Sequence, residues 1–168
     1  QESSSSCSRT TTASVLRNKE DRDHNSNKGT FLLNLENATA TLLNQDLYPI
    51  GSLGEHETAT IIELMKAWPW QKSVQAAQTI EFLLKRLVDE DHVKPIQIVD
   101  RRKCYKLALE GWARSQHGFE RAREIHNYMI AIWKKLNDTC LAPDTDTYNA
   151  LMLAAPTPSV AEDVLAEM

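Results

Sequence analysis

One helical pattern occurs three times in this sequence, and the recurrence limits the possible folds more than any other feature. An alanine is followed by an aliphatic residue at the third position and by Leu or Met at the seventh, in segments that begin at Ala77, Ala122 and Ala161. This spacing places the residues on one face of an α-helix, with the small alanine where another helix approaches closely. We therefore predict helical hairpins that bury their apolar faces by stacking. An ordinary helical bundle in which the pattern recurs by chance is the alternative.

The remaining sequence signals also favour helices. A second pattern recurs around Tyr105 and Tyr148, each followed by apolar residues and preceded by a proline, at Pro95 and Pro143. From residue 56 onward the prolines fall between helical stretches, and no Asn-Gly or Asp-Gly pair marks a β-hairpin. We predict an all-α fold, with the four tryptophans as core residues.

The order of segments follows from composition. Residues 1–30 contain 11 Ser or Thr and only two large aliphatic residues, which predicts a disordered leader. We predict a weak helix and a loop for residues 31–55. The helical repeats are predicted for residues 56–168. The units are expected at about 58–101, 102–144 and 145–168. The last unit stops before a closing loop, so we expect the sequence to be part of a longer chain.

Several functional classes lack support in the sequence. No run of 18 apolar residues predicts a membrane-spanning helix. The three cysteines match neither a disulfide framework nor a zinc pattern, the five histidines lack catalytic partners, and no glycine-rich loop would cradle phosphate. We expect no enzymatic activity, no catalytic residue, no metal, no cofactor, no small-molecule substrate and no membrane partner.

Positive charge is concentrated in the middle of an otherwise acidic chain. The net charge is -4, yet residues 99–138 contain nine basic and five acidic residues. Arg101, Arg102, Lys103 and Lys106 lie at the predicted start of one helix, where cations oppose the helix dipole. Because clustered cations attract phosphate, we predict contact with RNA here. A solvated helix end is the alternative interpretation.

Two segments carry a family resemblance. Leu141-Ala-Pro-Asp-Thr-Asp-Thr-Tyr-Asn-Ala-Leu-Met152 resembles the junction between two pentatricopeptide repeats. Gly111-Trp-Ala-Arg-Ser, followed by Ala122 and Met129, resembles the turn and second helix of the same repeat. The match is strongest over residues 102–152. The resemblance implies a right-handed α-solenoid of helix-turn-helix repeats, here about two and a half to three units.

The resemblance also implies a function. Pentatricopeptide repeats bind single-stranded RNA, about one base per repeat, with the residue after the conserved Tyr and the last residue of the repeat facing the base. These positions correspond to Lys106 with Asp144, and to Asn149. The implied role is RNA processing, stability or translation in a mitochondrion or plastid; apart from the resemblance, we expect only an intracellular, soluble protein. The alternative is a protein-binding scaffold, similar to tetratricopeptide repeats, within a larger organelle assembly. If Lys103, Lys106 and Asn149 line one concave face, RNA is favoured. If they point apart, or if an apolar patch fills that face, a protein partner is favoured.

Overall fold

A computed structural model describes residues 29–93 and 101–168 of the chain. In these ranges the chain forms α-helices and two 3-10 helices and no strand, so the predicted all-α class is confirmed for the described part. In chain order the α-helices are α1 (29–43), α2 (Glu55–Ala67), α3 (Val74–Val93), α4 (Arg101–Ala113), α5 (Phe119–Leu136), α6 (Thr145–Ala154) and α7 (Pro158–Ala166). The 3-10 helices span Trp68–Gln71 and Thr139–Leu141. None of the helices in the described ranges is both long and apolar enough to cross a membrane.

The chain divides into two compact units, Gln1–Asn37 and Ala38–Met168. Of the first unit the structure describes residues 29–37, all of which are helical. The expected leader, residues 1–30, lies outside the described residues except for residues 29 and 30, which are helical rather than disordered. In the second unit the helix continues to residue 43, and a loop with turns reaches residue 54, where the sequence predicts a helix followed by a loop.

Local sequence signals explain where several helices begin. The backbone N–H of Gly54 donates to the Glu57 carboxylate over 3.0 Å, which caps α2. Asp144 accepts a hydrogen bond from the Thr147 N–H over 3.0 Å, and the Thr147 hydroxyl accepts one from the Asp144 N–H over 2.9 Å. This reciprocal pair is a capping box for α6. Pro158 is the first residue of α7, where its missing N–H has no helical partner to lose.

Helix α4 lies at the centre of the packing. It contacts α3, α5 and α6, while α2 contacts α3 and α4, and α6 also contacts α5 and α7. Helices α3 and α4 approach closely at Gly111, where an added Cβ would lie 2.7 Å from Ile80 Cδ1 and 3.6 Å from Ala77 Cα. Glycine at this position therefore lets two helix backbones pack closely. Each hairpin packs against the hairpin that follows it in sequence.

The recurring alanines lie in similar surroundings in two of the three segments. Ala77 and Ala122 are fully buried, and the aliphatic residues three positions later, Ile80 and Ile125, are buried as well. In the third segment Val164 is fully buried, but Ala161 is only half-buried. Helix α7 packs chiefly against α6, which explains the partial exposure. The sequence pattern thus marks the buried face of α3 and α5, and part of that of α7.

A buried ion pair on α3 holds the loop between α1 and α2. The Arg86 guanidinium donates to the backbone oxygens of Tyr48 and Pro49 over 2.8 and 3.1 Å. One carboxylate oxygen of Glu90 accepts the Leu53 N–H over 2.7 Å, and the other lies 3.2 Å from Arg86. The two side chains are 4% and 0% exposed. Since Arg86 and Glu90 both bind loop backbone, this pair fixes the loop to α3.

The tryptophans do not all enter the core. Trp68 and Trp112 are buried, and the Trp68 indole N–H donates to the Thr39 hydroxyl over 2.9 Å. Trp133 is half-buried. Trp70 is 79% exposed, so the prediction of a core residue is wrong there. The reason is that Trp70 lies in a 3-10 helix after α2, where helical spacing no longer decides which side chains face the core.

Candidate functional site

Arg101 bridges two neighbouring parts of the chain. Its guanidinium donates to the carboxylate of Asp91 on α3 over 2.8 Å and to that of Asp138 after α5 over 3.2 Å. All three side chains are less than one third exposed, at 28%, 22% and 23%. Arg101 therefore lies between two intramolecular carboxylates at the first residue of α4.

Arg102 connects α4 to the start of α6. It donates to the Asp144 carboxylate over 3.0 Å and to the backbone oxygens of Thr139 and Cys140 over 3.1 and 3.3 Å. Burial raises the pKa of Asp144, but the hydrogen bonds from Arg102 and Thr147 outweigh it, so the pKa lies below its ordinary value. Asp144 is thus an anion that caps α6 and pairs with α4.

Lys106 links the exposed sides of α4 and α6. Its ammonium lies 2.6 Å from the Asp146 carboxylate and 3.9 Å from that of Glu110. The hydrogen bond to Asp146 is the main reason why the pKa of Lys106 lies above its ordinary value. Lys103 is exposed one turn before Lys106, and Asn149 is exposed one turn after Asp146. These polar side chains therefore lie on neighbouring turns of two packed helices.

The six predicted site residues fall into two groups. Arg101, Arg102 and Asp144 all form ion pairs within the chain, Arg101 with Asp138 in the loop after α5 and Arg102 with Asp144 at the start of α6. Lys103, Lys106 and Asn149 lie on the adjoining surface of α4 and α6. The unfavourable position of cations at the start of α4 is offset by carboxylates of this chain, namely Asp91, Asp138, Asp144 and Asp146. Contact of the six residues with RNA stays a prediction.

A groove that is not among the sites predicted above runs between α3 and α5. It consists of two adjoining cavities of about 480 and 330 Å³. Both cavities are lined by Leu84, Val88, Tyr105 and Tyr128, so they form one continuous depression, called the α3–α5 groove below. Leu87, Ile132 and Leu136 extend its apolar surface at the wider end. The groove has the size of a ligand or peptide site and lies open at the surface.

Two tyrosines shape the middle of the α3–α5 groove. Tyr105, on α4, is 3% exposed and forms the floor, and Tyr128, on α5, is 51% exposed and forms part of one wall. Their ring centroids lie 6.5 Å apart at an interplanar angle of 42°. Burial is the main cause that raises the pKa of Tyr105 above its ordinary range, which keeps its hydroxyl neutral. The middle of the groove is therefore uncharged and aromatic.

Ion pairs lie at the narrower end of the α3–α5 groove. Arg121 on α5 pairs with Glu81 on α3 and with Glu124 on its own helix. Glu81 also accepts the indole N–H of Trp112 over 3.0 Å. The hydrogen bond to Glu81 is the largest cause that raises the pKa of Arg121 above its ordinary value. Arg121 therefore spans the groove and joins its two walls.

Other charged side chains along the groove are not paired in this way. Lys85 on α3 and Lys135 on α5 are exposed and form no ion pair with the residues that the structure describes. Asp89, half-buried on α3, is likewise unpaired within the described ranges. At the wider end, Asp91 is held by Arg101. Two ammonium groups, one on each wall, are therefore without an ion-pair partner in the described ranges.

A buried imidazole lies where α5 meets α6. His126 is fully buried, and neither ring nitrogen has a hydrogen-bond partner among the described residues. Its ring contacts Tyr148 edge-on, with centroids 4.9 Å apart. Burial and the nearby Arg123 lower the pKa of His126, against the opposing effect of Glu167. The imidazole is therefore neutral in the folded chain at neutral pH.

The α3–α5 groove did have a sequence signal. On α5, Tyr128, Ile132 and Leu136 recur at every fourth position, which places them along one stripe of the helix. The buried face of α5 contains Ala122 and Met129 and does not include this stripe. A second apolar stripe on the same helix indicates a second packing surface. In the folded chain Tyr128 and Leu136 on this stripe stay exposed, and helix periodicity in the sequence does not contain the tertiary packing that leaves them so.

Neither a metal cluster nor a known relative points to another kind of site. In residues 29–93 and 101–168, no group of three or more His, Cys, Asp or Glu side chains is placed to hold a metal ion. Comparison of the chain with protein-family models, with curated proteins and with solved structures finds no match.

Proposed function

We propose that the chain is a non-catalytic helical-repeat module that binds a partner protein in the α3–α5 groove. In this proposal the hairpins α2–α3, α4–α5 and α6–α7 are the two and a half to three units of a right-handed α-solenoid. The packing of α4 against both α3 and α6 supports stacked hairpins. Stacked helical hairpins form extended surfaces that commonly bind partners.

The open apolar groove is the observation that carries this proposal. Tyr128 is 51% exposed and Leu136 is 59% exposed, although both lie beside the buried floor formed by Tyr105 and Leu84. Contiguous apolar surface between two helices is costly to leave in water and commonly marks a protein-binding site. A partner that covers the groove would remove this surface from water.

The paired state of the basic cluster also favours a protein partner over RNA. Arg101 and Arg102 have three Asp partners in the chain, and Lys106 has one at 2.6 Å. A phosphate group would have to replace these carboxylates. Because the cations are already partly neutralised, binding would release fewer of the counterions that surround the RNA. The cluster therefore contributes less to RNA affinity than four unpaired cations would.

Capture of partners from cell extract tests the proposal. Val88→Arg places a long cation in the half-buried middle of the groove, and Asn127→Arg places the same side chain at an exposed site outside the groove lining. We expect the wild-type chain and Asn127→Arg to retain the same proteins after ribonuclease treatment, and Val88→Arg to lose them. Equal retention by both variants, or loss of all bound protein with ribonuclease, would contradict the proposal.

Single-stranded RNA is the second candidate ligand. The observation that favours it is the position of Lys103, Lys106 and Asn149 on neighbouring turns of α4 and α6. Location in a mitochondrion or plastid belongs to this second candidate, because both derive from the same family resemblance.

A titration with labelled single-stranded RNA distinguishes the two candidates. If RNA is the ligand, Lys103→Gln combined with Lys106→Gln should weaken binding and reduce its salt dependence between about 50 and about 200 mM salt. Lys72→Gln, at an exposed lysine in the turn before α3, is the matched control. Affinity that is the same for wild type, the double variant and the control would argue against RNA contact at this surface.

A further inference from the structure

We propose that the occupant of the α3–α5 groove is one amphipathic α-helix of a partner protein, with acidic residues beside its apolar stripe. This inference rests on the proposed function and specifies the chemistry of the partner. Its argument has three parts, which concern the backbone of the occupant, the length of the groove and the charges on its walls.

The groove selects a helix over an extended peptide. Both walls are α-helices, α3 and α5, whose backbone N–H and C=O groups are used within the helices. An extended peptide bound there would find no strand edge with which to pair, and its own backbone groups would be buried unpaired. A helix satisfies its backbone internally and can therefore enter an apolar groove.

The length of the groove fits about three helical turns. Its lining runs from Glu81 to His92 on α3, which corresponds to about 17 Å at the helical rise of 1.5 Å per residue. Three turns place apolar side chains at positions i, i+3 or i+4, and i+7 along one face. Leu84, Val88 and Tyr128 line both cavities and would contact these anchors.

The charges on the walls favour acidic residues in the occupant. Lys85 lies on one wall and Lys135 on the other, and neither pairs with a described residue of this chain. Asp89 is the unpaired carboxylate of the lining, and it is half-buried. Glutamates that flank the apolar stripe would reach the two exposed ammonium groups, which raises both affinity and association rate.

The narrower end of the groove sets a further requirement. Arg121 is shared by Glu81 and Glu124, so this end carries a surplus of one negative charge. An acidic residue placed there would be repelled. Lys85 lines the same narrower cavity one turn along α3 from Glu81. The occupant should therefore carry its acidic residues beside Lys85 and Lys135, and an uncharged or basic residue beside Glu81 and Glu124.

A helix library displayed on phage tests the inference with the full chain as target. Each member is a helix of about 18 residues, with Leu fixed along one stripe and Glu, Lys, Gln or Ser at random in the flanking positions. We expect selected helices to contain more Glu than Lys beside the stripe. A synthetic peptide of the selected sequence should bind Val88→Arg about tenfold more weakly than wild type, and Asn127→Arg equally well.

Charge reversal of the two lysines gives an independent measurement. The combined variant Lys85→Glu and Lys135→Glu changes exposed residues, so the fold should be retained, and it should select Lys in place of Glu. Failure to select any helix, selection of Lys by the wild-type chain, or equal binding to Val88→Arg would overturn the inference. A wild-type dimer that Val88→Arg converts to monomer in analytical ultracentrifugation would assign the groove to a second copy and overturn it as well.

The two proposals fail in different ways. If extract proteins are lost with Val88→Arg but the library yields no groove-dependent helix, the protein-binding function stands and the acidic helix is wrong. If no protein is captured from extract and RNA binds through Lys103 and Lys106, the protein-binding function itself is wrong.

Discussion

Arg102 donates a hydrogen bond of 3.0 Å to Asp144, and the same carboxylate accepts the N–H of Thr147 at the start of α6. One anion therefore caps α6 and neutralises a cation at the start of α4. An acidic group is favourable at a helix N-terminus and a basic group is unfavourable there, so the pair relieves α4 while it stabilises α6. Two helices of successive hairpins thus depend on a single carboxylate.

Removing that carboxylate should destabilise the chain measurably. We expect Asp144→Ala to lower the free energy of unfolding by about 1–2 kcal/mol, because a helix cap and a partner of Arg102 are lost together. Asp146→Ala removes an exposed partner of Lys106 and should cost less than about 0.5 kcal/mol. Urea unfolding followed by circular dichroism measures both changes in the free energy of unfolding. Equal losses would show that the cap stabilises the chain no more than the exposed ion pair does.

The close approach at Gly111 should couple this residue to Ile80. Gly111→Ala places a methyl group 2.7 Å from Ile80 Cδ1, so we expect lower stability despite the better helix propensity of alanine. In an Ile80→Val background the clashing carbon is absent, and Gly111→Ala should then be neutral or stabilising. A double-mutant cycle should give a coupling of about 1 kcal/mol or more, whereas additive effects would contradict the contact.

The buried pair on α3 should be far more sensitive to mutation than a surface pair. Glu90→Ala leaves the Arg86 charge buried without its carboxylate and the Leu53 N–H without an acceptor, which should cost about 3–5 kcal/mol. Glu63→Ala breaks the exposed pair with Lys66 and should cost less than about 0.5 kcal/mol. Thermal unfolding at neutral pH compares the two, and a similar shift of Tm for both variants would refute this account of the loop.

Mild acid should weaken the packing of α5 against α6 through His126. Its pKa is lower in the folded than in the unfolded chain, so the unfolded chain binds more protons as the pH falls below about 6.5. The stability that the neutral imidazole contributes is therefore present above the unfolded pKa and is lost as the pH falls below it towards the lower pKa of the folded chain. His126→Leu should reduce this loss, whereas His92→Gln, at an exposed residue, should not.

Urea titrations of the three proteins at several pH values provide the measurement for His126. A pH dependence that is the same in wild type and His126→Leu would assign the acid sensitivity to other groups.

Local signals in the sequence were sufficient for the helices and for part of the core. The Ala-x-x-aliphatic pattern identifies the buried faces at Ala77 and Ala122 because helix periodicity is a local property. The cations Arg101 and Arg102 were also recognised at a helix start. Their partners were not, because Asp138 and Asp144 lie 37 and 42 residues away in sequence and come near only when the hairpins pack.

The α3–α5 groove is harder to predict from the sequence than these helices, because it depends on how the helices pack. Each of its walls contains an apolar stripe that is visible in the sequence, as at Leu84 with Val88 and at Tyr128 with Ile132. Whether such stripes face each other, face a third helix or remain open depends on the angle between α3 and α5. Trp70 shows the converse case, since its aromatic ring predicts burial but the 3-10 turn directs it to the surface.

The contacts of Arg101 limit where this chain can be divided without loss of an ion pair. Arg101 pairs with Asp91 on α3 and with Asp138 in the loop after α5. A division of the chain at the start of α4 therefore separates Arg101 from Asp91. A division after Leu136 separates Arg101 from Asp138. A transplantable module that keeps both contacts must begin within or before α3 and extend beyond Asp138, which makes it longer than the repeat that the sequence outlines.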